Sequence, residues 1–276
     1  TFTLGGGHGR KIGDPIEMLS QPVMQSFRSV VARSGLIGRI TTTHLGVGAR
    51  FRNTISLWFA DVSASLSRQN KDVISTRLIG EGGVSENGLV SMDNSSRRLL
   101  LSGSVTKQFR EAGIKITLRG SGGWNSAEIV QQEQLVTYRT RMVRINPWIT
   151  ASPWQWVELR IDSDWQKQFS RYLQSRSDNW NWTNSFRLLF FPADGWELSG
   201  NLDFVKKGDA RINYPDVALL DLGAAWKVGK FRITLNADNL LNRRSWHYTR
   251  YDGLDTYDYT FRLLGRTITA GITMTM

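Results

Sequence analysis

The chain has no cysteine. That excludes a disulfide scaffold and any thiolate-held zinc or iron–sulfur site. Histidine is nearly as scarce: His8, His44 and His247 are the only three, and no two stand at ligand spacing. No metal site and no cofactor is expected from such a set. There are six prolines in 276 residues. No stretch approaches the ~18 consecutive apolar residues of a spanning helix. The glycine runs at 5–7 and 120–123 lack the lysine and helix pattern of a phosphate loop. Mean hydropathy is −0.31, a soluble-looking value. It does not exclude a membrane, because half of every strand in a spanning β-barrel faces a polar lumen.

Aromatic residues are abundant, with 11 Trp, 12 Phe and 7 Tyr. So is positive charge: 35 Lys and Arg against 24 Asp and Glu give a net +11. These cations are spread along the whole chain and do not gather on one element, as a nucleic-acid footprint would. Nucleic acid is therefore not an expected partner. Solvated loops, a polar interior, or contact with lipid and lipopolysaccharide headgroups or an anionic ligand account for the charge.

The dominant period is two. Trp58, Ala60, Val62, Ala64 and Leu66 alternate with Asp61, Ser63 and Ser65. Val157, Leu159 and Ile161 alternate with Glu158, Arg160, Asp162 and Asp164. Phe231, Ile233, Leu235 and Ala237 alternate with Arg232, Thr234, Asn236 and Asp238. Such alternation marks half-buried strands. Two architectures satisfy it: a soluble sandwich that buries its apolar face against a second sheet, and a membrane barrel that turns it to lipid.

Three features favour the barrel. Short turns near Asn53, Glu111–Gly113, Ser152–Trp154, Pro192–Gly195 and Gly229 alternate with long polar stretches at about 10–38, 68–97, 121–134, 168–181, 206–216 and 243–260. Phe51, Trp58, Phe109, Phe186, Phe190, Trp196, Trp226 and Phe231 sit at strand ends, as an interfacial girdle would. The polar alternate positions, Arg50, Asp61, Glu158, Arg160, Asp162, Asp164, Arg232 and Asp238 among them, form a face with so many ionisable groups that it must be wet. The expected architecture is all-β and antiparallel, a single unit over 1–276. About twelve strands are expected, near 1–9, 39–52, 55–68, 97–108, 113–121, 135–150, 155–167, 182–191, 196–206, 216–228, 231–241 and 261–275. Pro147 removes a ladder donor and should bend or bulge its strand.

The segment LLDLGAAWKVGKFRITLNADNLLNRRSW, then a loop, then FRLLGRTITAGITMTM, resembles the C-terminus of TonB-dependent receptors. The matching positions are Asn239-Leu240-Leu241-Asn242 at the end of the penultimate strand and Arg266 early in the last one. The asparagines are expected to bond their own backbone and stop regular pairing there. The run from Gly271 to Met276 resembles the outer-membrane assembly signal, which implies the barrel-insertion machinery as a partner. It departs from that pattern in ending on Met276 where an aromatic is usual, and in having Ala270 where a polar residue is common. Upstream, the hairpins resemble those of outer-membrane β-barrel family proteins.

The resemblance implies a 22-strand barrel in the Gram-negative outer membrane, with long loops outside and a plug within. It implies energised import of a scarce nutrient such as a metal chelate, a glycan or a peptide. No plug or TonB box is present in this sequence, and the chain opens on Thr1 without a methionine. It is expected to be a trimmed chain and the C-terminal part of a larger barrel, coupled to the TonB complex through an N-terminal part and open to a partner surface lipoprotein. Two rivals remain: a structural or partner-binding envelope barrel, and a small barrel hydrolase with Ser63 or Ser65 beside His44. No catalytic residue is assigned, since a nucleophile, base and orienting group are not recognisable together. In the expected loops, Trp180, Trp182, Trp246, Tyr248, Tyr251 and Tyr257 are candidates for stacking on a ligand, and Arg244 and Arg250 for holding anions.

Overall fold

A computed structural model describes residues 1–13, 22–26, 29–31, 35–173, 175–209, 216–252 and 255–274. Twelve strands form one antiparallel meander, each hydrogen-bonded to the next. They are β1 (Phe2–Ile12), β4 (Arg39–Asn53), β5 (Trp58–Ile79), β6 (Ser85–Phe109), β7 (Ile114–Gln131), β8 (Gln134–Trp154), β9 (Val157–Tyr172), β10 (Ser175–Phe190), β11 (Trp196–Asp209), β12 (Val217–Val228), β13 (Phe231–Asp238) and β16 (Thr267–Met274). Two short strands, β2 (Val23–Ser26) and β3 (Ser29–Val31), pair beside it, and β3 runs parallel to β6. A separate hairpin is formed by β14 (Ser245–Asp252) and β15 (Asp255–Arg262). Among the described residues the only helical turn is a 3-10 turn at Glu81–Gly83, and no helix is long and apolar enough to cross a membrane.

All twelve expected strands are present in the expected order, but several expected loops are not loops. The stretches 68–97, 121–134 and 168–181 are strand. β5 and β6 continue to a tip at 80–84, β7 and β8 turn at 132–133, and β9 ends at a turn at Leu173 shortly before β10 begins at Ser175. In runs such as SRQNKD and SMDNSSRR both faces are polar, so alternation disappears although the backbone ladder persists. β6 alone is 25 residues long, against the ~9–11 that a strand needs to cross a bilayer.

The β5–β6 ribbon twists on its way up. Below Lys71 one edge of β5 pairs β4; above a register shift at Lys71/Val73 β5 pairs β7 at Thr76–Val130 and Arg77–Gln131. Asn94 stabilises the crossing by donating Nδ2 to the carbonyls of Val73 (2.7 Å) and Met92 (3.1 Å). Ile74, Val130, Val136 and Tyr172 are buried in this upper region. The two-residue β7–β8 turn is tied back by Gln132, whose side chain takes the Ile79 N–H at 2.9 Å and donates to the Ile79 carbonyl at 3.2 Å.

Pro147 does not bulge its strand. β8 pairs β7 without interruption through Leu118–Pro147. Opposite β9 the ladder skips Asn146 and Pro147 but keeps register from Ile145–Trp165 to Trp148–Asp162. Asn146 Nδ2 donates to the Ser163 carbonyl at 2.7 Å, standing in for the N–H that proline lacks. The register shift comes later, between Ala151 and Trp154.

The sheet has one apolar and one polar face. On the apolar face, pairing links Leu4, Val47, Ala64, Leu101, Gly122 and Val143 in one rung, and Ile149, Ile161, Phe186, Leu202 and Leu220 in another. Among the described residues no second layer covers it. Among the described residues only six apolar side chains are buried, while Val62, Leu101, Leu188 and Leu235 are exposed. A soluble sandwich of this size would bury that face, and among the described residues no second sheet does so. Among the described residues β1 and β16 are each paired on one side only, and no pairing between them closes the sheet.

Candidate functional site

The eight polar-wall residues expected from alternation share one face. The register runs Arg50–Asp61–Ser104–Arg119–Asn146 across β4 to β8. Thr150 on β8 pairs Arg160, which places Glu158, Asp162 and Asp164 on the same side. Arg232 and Asp238 follow through Lys227–Arg232 and Asp238–Thr267. Several of these charges are paired: Ser104 donates to Asp61 Oδ1 at 2.5 Å, Arg144 contacts Asp164 at 2.6 Å, and Arg232 contacts Glu197 at 2.8 Å.

A second group is not paired with acids. Lys115, Arg119 and Arg160 each lie 5.2–5.5 Å from the ring of Trp148. The indole's negative π-face partly compensates cations that no described carboxylate contacts. Sequence reasoning did not single out Trp148 because its cationic neighbours come from the two strands that flank its own, β7 and β9.

Aromatic belts flank the apolar face. Near the short turns Trp154 stacks on Trp156 at 4.9 Å, Trp156 meets Phe190 at 5.5 Å, and Trp196 stacks on Trp226 at 5.2 Å. Lys107 Nζ lies over Trp58 and Phe109 and reaches the Ser56 carbonyl at 2.5 Å, a cation drawn from the apolar face toward the turn. Trp180 and Trp182, expected in a loop, lie instead on β10 and on its apolar face. Trp180 covers Gly208, and Trp182 meets Phe204 at 6.0 Å and donates Nε1 to Ser163 Oγ at 3.1 Å. Phe190 and Trp182 are roughly 26 Å apart along β10 at ~3.3 Å per residue, comparable to the ~25 Å apolar band of a membrane barrel.

The remaining loop candidates divide. Trp246 and Tyr257 belong to the β14–β15 hairpin, on one face with two residues that the sequence reading passed over, Tyr259 and Phe261. Ring centroids are 6.3 Å apart for Tyr257–Tyr259, and 6.0 Å for both Tyr259–Phe261 and Trp246–Phe261. Lys207 of β11 lies 5.5 Å over Trp246, and burial pushes its ammonium down to about 8. Arg244 is exposed at the hairpin base, where its carbonyl accepts from Leu263 N at 3.0 Å. The side chains of Tyr248, Arg250 and Tyr251, and the whole of Met276, lie outside the described residues.

The asparagine motif closes β13. Asn239 and Asn242 both have a positive φ of 52°. Buried Asn239 donates Nδ2 to the carbonyls of Arg243 and Leu264, each at 2.7 Å, and accepts the Arg243 N–H at 2.9 Å. Asn242 Oδ1 accepts from Arg266 N at 3.2 Å. Arg266 holds the Leu240 carbonyl, Leu240 N bonds the Leu220 carbonyl, and exposed Leu241 fills the turn. The strand therefore ends at Asp238, three residues before the expected 241. Gly271 continues β16 opposite Thr234.

The histidines are dispersed. His44 stands opposite Ser67, not Ser63 or Ser65, and its ring lies over Gly7, where any Cβ would collide with it. Ser63 bonds Ser102 at 2.8 Å. His8 bonds Thr43 at 2.9 Å and His247 bonds Thr260 at 3.0 Å.

No family model matches the chain, and no curated protein does. Among solved structures, the ferric yersiniabactin uptake receptor of Yersinia pestis is similar at 13% identity and a TM-score of 0.42. The match covers 99% of this chain and 48% of that one, so this chain spans about half its length.

Proposed function

We propose that this chain is a multi-pass wall segment of a Gram-negative outer-membrane transport barrel of the TonB-dependent type, importing a scarce nutrient rather than transforming it. The observation that carries this reading is the two-faced sheet. One face is predominantly apolar, exposed and bounded by aromatic belts; the other is charged and wet. In hydrocarbon the free edges of β1 and β16 would leave a row of unsatisfied backbone groups, each costing several kcal/mol. Further strands of the same barrel therefore flank both edges, and the sheet closes through them. The long hairpins stand outside the cell against lipopolysaccharide, where the β14–β15 hairpin meets the ligand or a surface lipoprotein. The β16 end is the segment offered to the barrel-insertion machinery, and a plug supplied by an N-terminal part couples to the TonB complex.

Two experiments test this. The protein should remain in membranes washed with alkaline carbonate and leave them only in detergent; recovery in the soluble fraction would contradict a membrane wall. A strain lacking the gene should lose protonophore-sensitive uptake of one limiting nutrient, tested by class among metal chelates, glycans and peptides. Unimpaired uptake of all three would favour a structural barrel.

A further inference from the structure

On the polar face one rung has an unusual order of charges. Arg160 on β9 pairs Arg187 on β10, Arg187 pairs Asn201 on β11, and Asn201 pairs Asp221 on β12. Asp238 follows Ala237, the partner of Leu222, and so stands beside Asp221 on the next strand. Like charges facing each other on neighbouring strands are destabilising. Interleaving Arg with Asp would have removed both repulsions. Here two cations stand together at one end of the rung and two carboxylates at the other, with a neutral amide between.

The side chains are left open for a ligand. Among the described residues no ion pair joins Arg160 or Arg187 to a carboxylate, and Arg160 has only its contact with Trp148. Asp221 uses Oδ1 to accept the Asn239 N–H at 2.7 Å, which orients the carboxylate and leaves Oδ2 available. Asn201 gives Nδ2 to Asp203 Oδ2 at 2.9 Å, while its buried Oδ1 has no partner. A buried amide oxygen without a donor carries a cost that an incoming N–H would remove. These groups line a cavity of about 330 Å³ together with Glu158. Its floor depends on Gly223, where a Cβ would lie 2.4 Å from Ser199 Oγ and 3.1 Å from Asn236 Oδ1.

We infer that this cavity binds a short zwitterionic peptide, its carboxylate on Arg160 and Arg187, its ammonium on Asp221 and Asp238, and an internal N–H on Asn201 Oδ1. Guanidinium groups suit the planar carboxylate. Length sets the size: Arg187 and Asp221 are two strand spacings apart, roughly 10 Å, and an extended chain covers ~3.3–3.6 Å per residue. A peptide of about three residues spans that gap, whereas the charges of a single amino acid are too close together. The inference rests on the reading that this face borders a water-filled interior, and it names peptide among the nutrient classes.

The test is equilibrium dialysis of the detergent-solubilised full protein against radiolabelled triglycine, N-acetyltriglycine and triglycinamide. Triglycine should bind, and each blocked form should bind about tenfold more weakly. Arg187→Gln should weaken triglycine and N-acetyltriglycine but leave triglycinamide unchanged. Asp221→Asn, which keeps the acceptor for Asn239 N, should weaken triglycine and triglycinamide but leave N-acetyltriglycine unchanged. Arg160→Gln serves as a second cationic variant should Arg187→Gln fail to fold. Equal binding of all three probes, or no binding of triglycine up to about 10 mM by protein that is folded in detergent, would overturn the peptide site and leave the membrane reading standing. Solubility without detergent would overturn the membrane reading itself.

Discussion

The guanidinium of Arg266 donates to the backbone carbonyl of Leu240 twice, from Nε at 3.1 Å and from Nη2 at 2.6 Å. That clamp joins the start of β16 to the turn that ends β13. Beside it, Asn239 supplies three further side-chain bonds from a buried, positive-φ position. Asn239→Ala strands two carbonyls and one N–H and removes the side chain whose local bonds hold the left-handed backbone, so a loss of about 2–4 kcal/mol is expected. Arg266→Lys keeps the charge but gives up the paired donation, for about 1 kcal/mol. Urea unfolding in detergent should rank the two in that order; equal midpoints would contradict the clamp.

The β7–β8 turn offers a gain. Gln132 and Glu133 both have positive φ, 47° and 64°. Glu133→Gly relieves that conformation and should stabilise the hairpin by about 1 kcal/mol. Gln132→Ala loses the clasp on Ile79. Amide exchange at Ile79 should slow in the first variant and quicken in the second.

Two turn glycines separate backbone strain from collision. At Gly229, φ is 57° and nothing lies within 4 Å of an added Cβ, so Gly229→Ala costs only the conformational ~1–2 kcal/mol. At Gly113, φ is 62° and an added Cβ would lie 2.2 Å from the Ser152 carbonyl oxygen. Gly113→Ala should therefore exceed about 3 kcal/mol, because the collision adds to the strain. Thermal midpoints in detergent measure the difference.

Lys207 links β11 to the aromatic hairpin, and burial lowers its pKa to about 8. The unfolded chain therefore binds more protons than the folded one between about pH 8 and the ordinary lysine value near ~10.4. Stability should rise with pH across that window, and the rise should vanish in Lys207→Met. Carbon-13 NMR of labelled lysine Cε should show one signal titrating near 8. Its absence would contradict a buried ammonium.

What the sequence revealed follows from where each segment sits. Strands such as 58–66 and 231–237 were legible because an apolar face on one side and a polar face on the other impose alternation. The upper halves of β5, β6 and β7 were not, because SRQNKD and its neighbours are wet on both faces. The β14–β15 hairpin carries aromatics on both strands, which mask its strand period, although Tyr257, Tyr259 and Phe261 alternate. Trp180 and Trp182 stand near the start of β10, where the polar run SRSDN carries no strand period. The asparagine knot was legible as a motif, but its partners Asp221 and Leu264 come from β12 and from the segment between β15 and β16. The Arg160–Arg187–Asn201–Asp221 rung was invisible, since it exists only once four strands are in register.

The central claim is that one face of this sheet meets lipid and the other meets water. The most direct measurement is a spin-label scan of β5 in native membranes, using single cysteines at Asp61, Val62, Ser63, Ala64, Ser65 and Leu66 in a chain that has no cysteine of its own. Labels at 62, 64 and 66 should be accessible to oxygen and shielded from a water-soluble nickel chelate, and labels at 61, 63 and 65 should show the reverse. Accessibility without a period of two, or with the phases exchanged, would contradict the account.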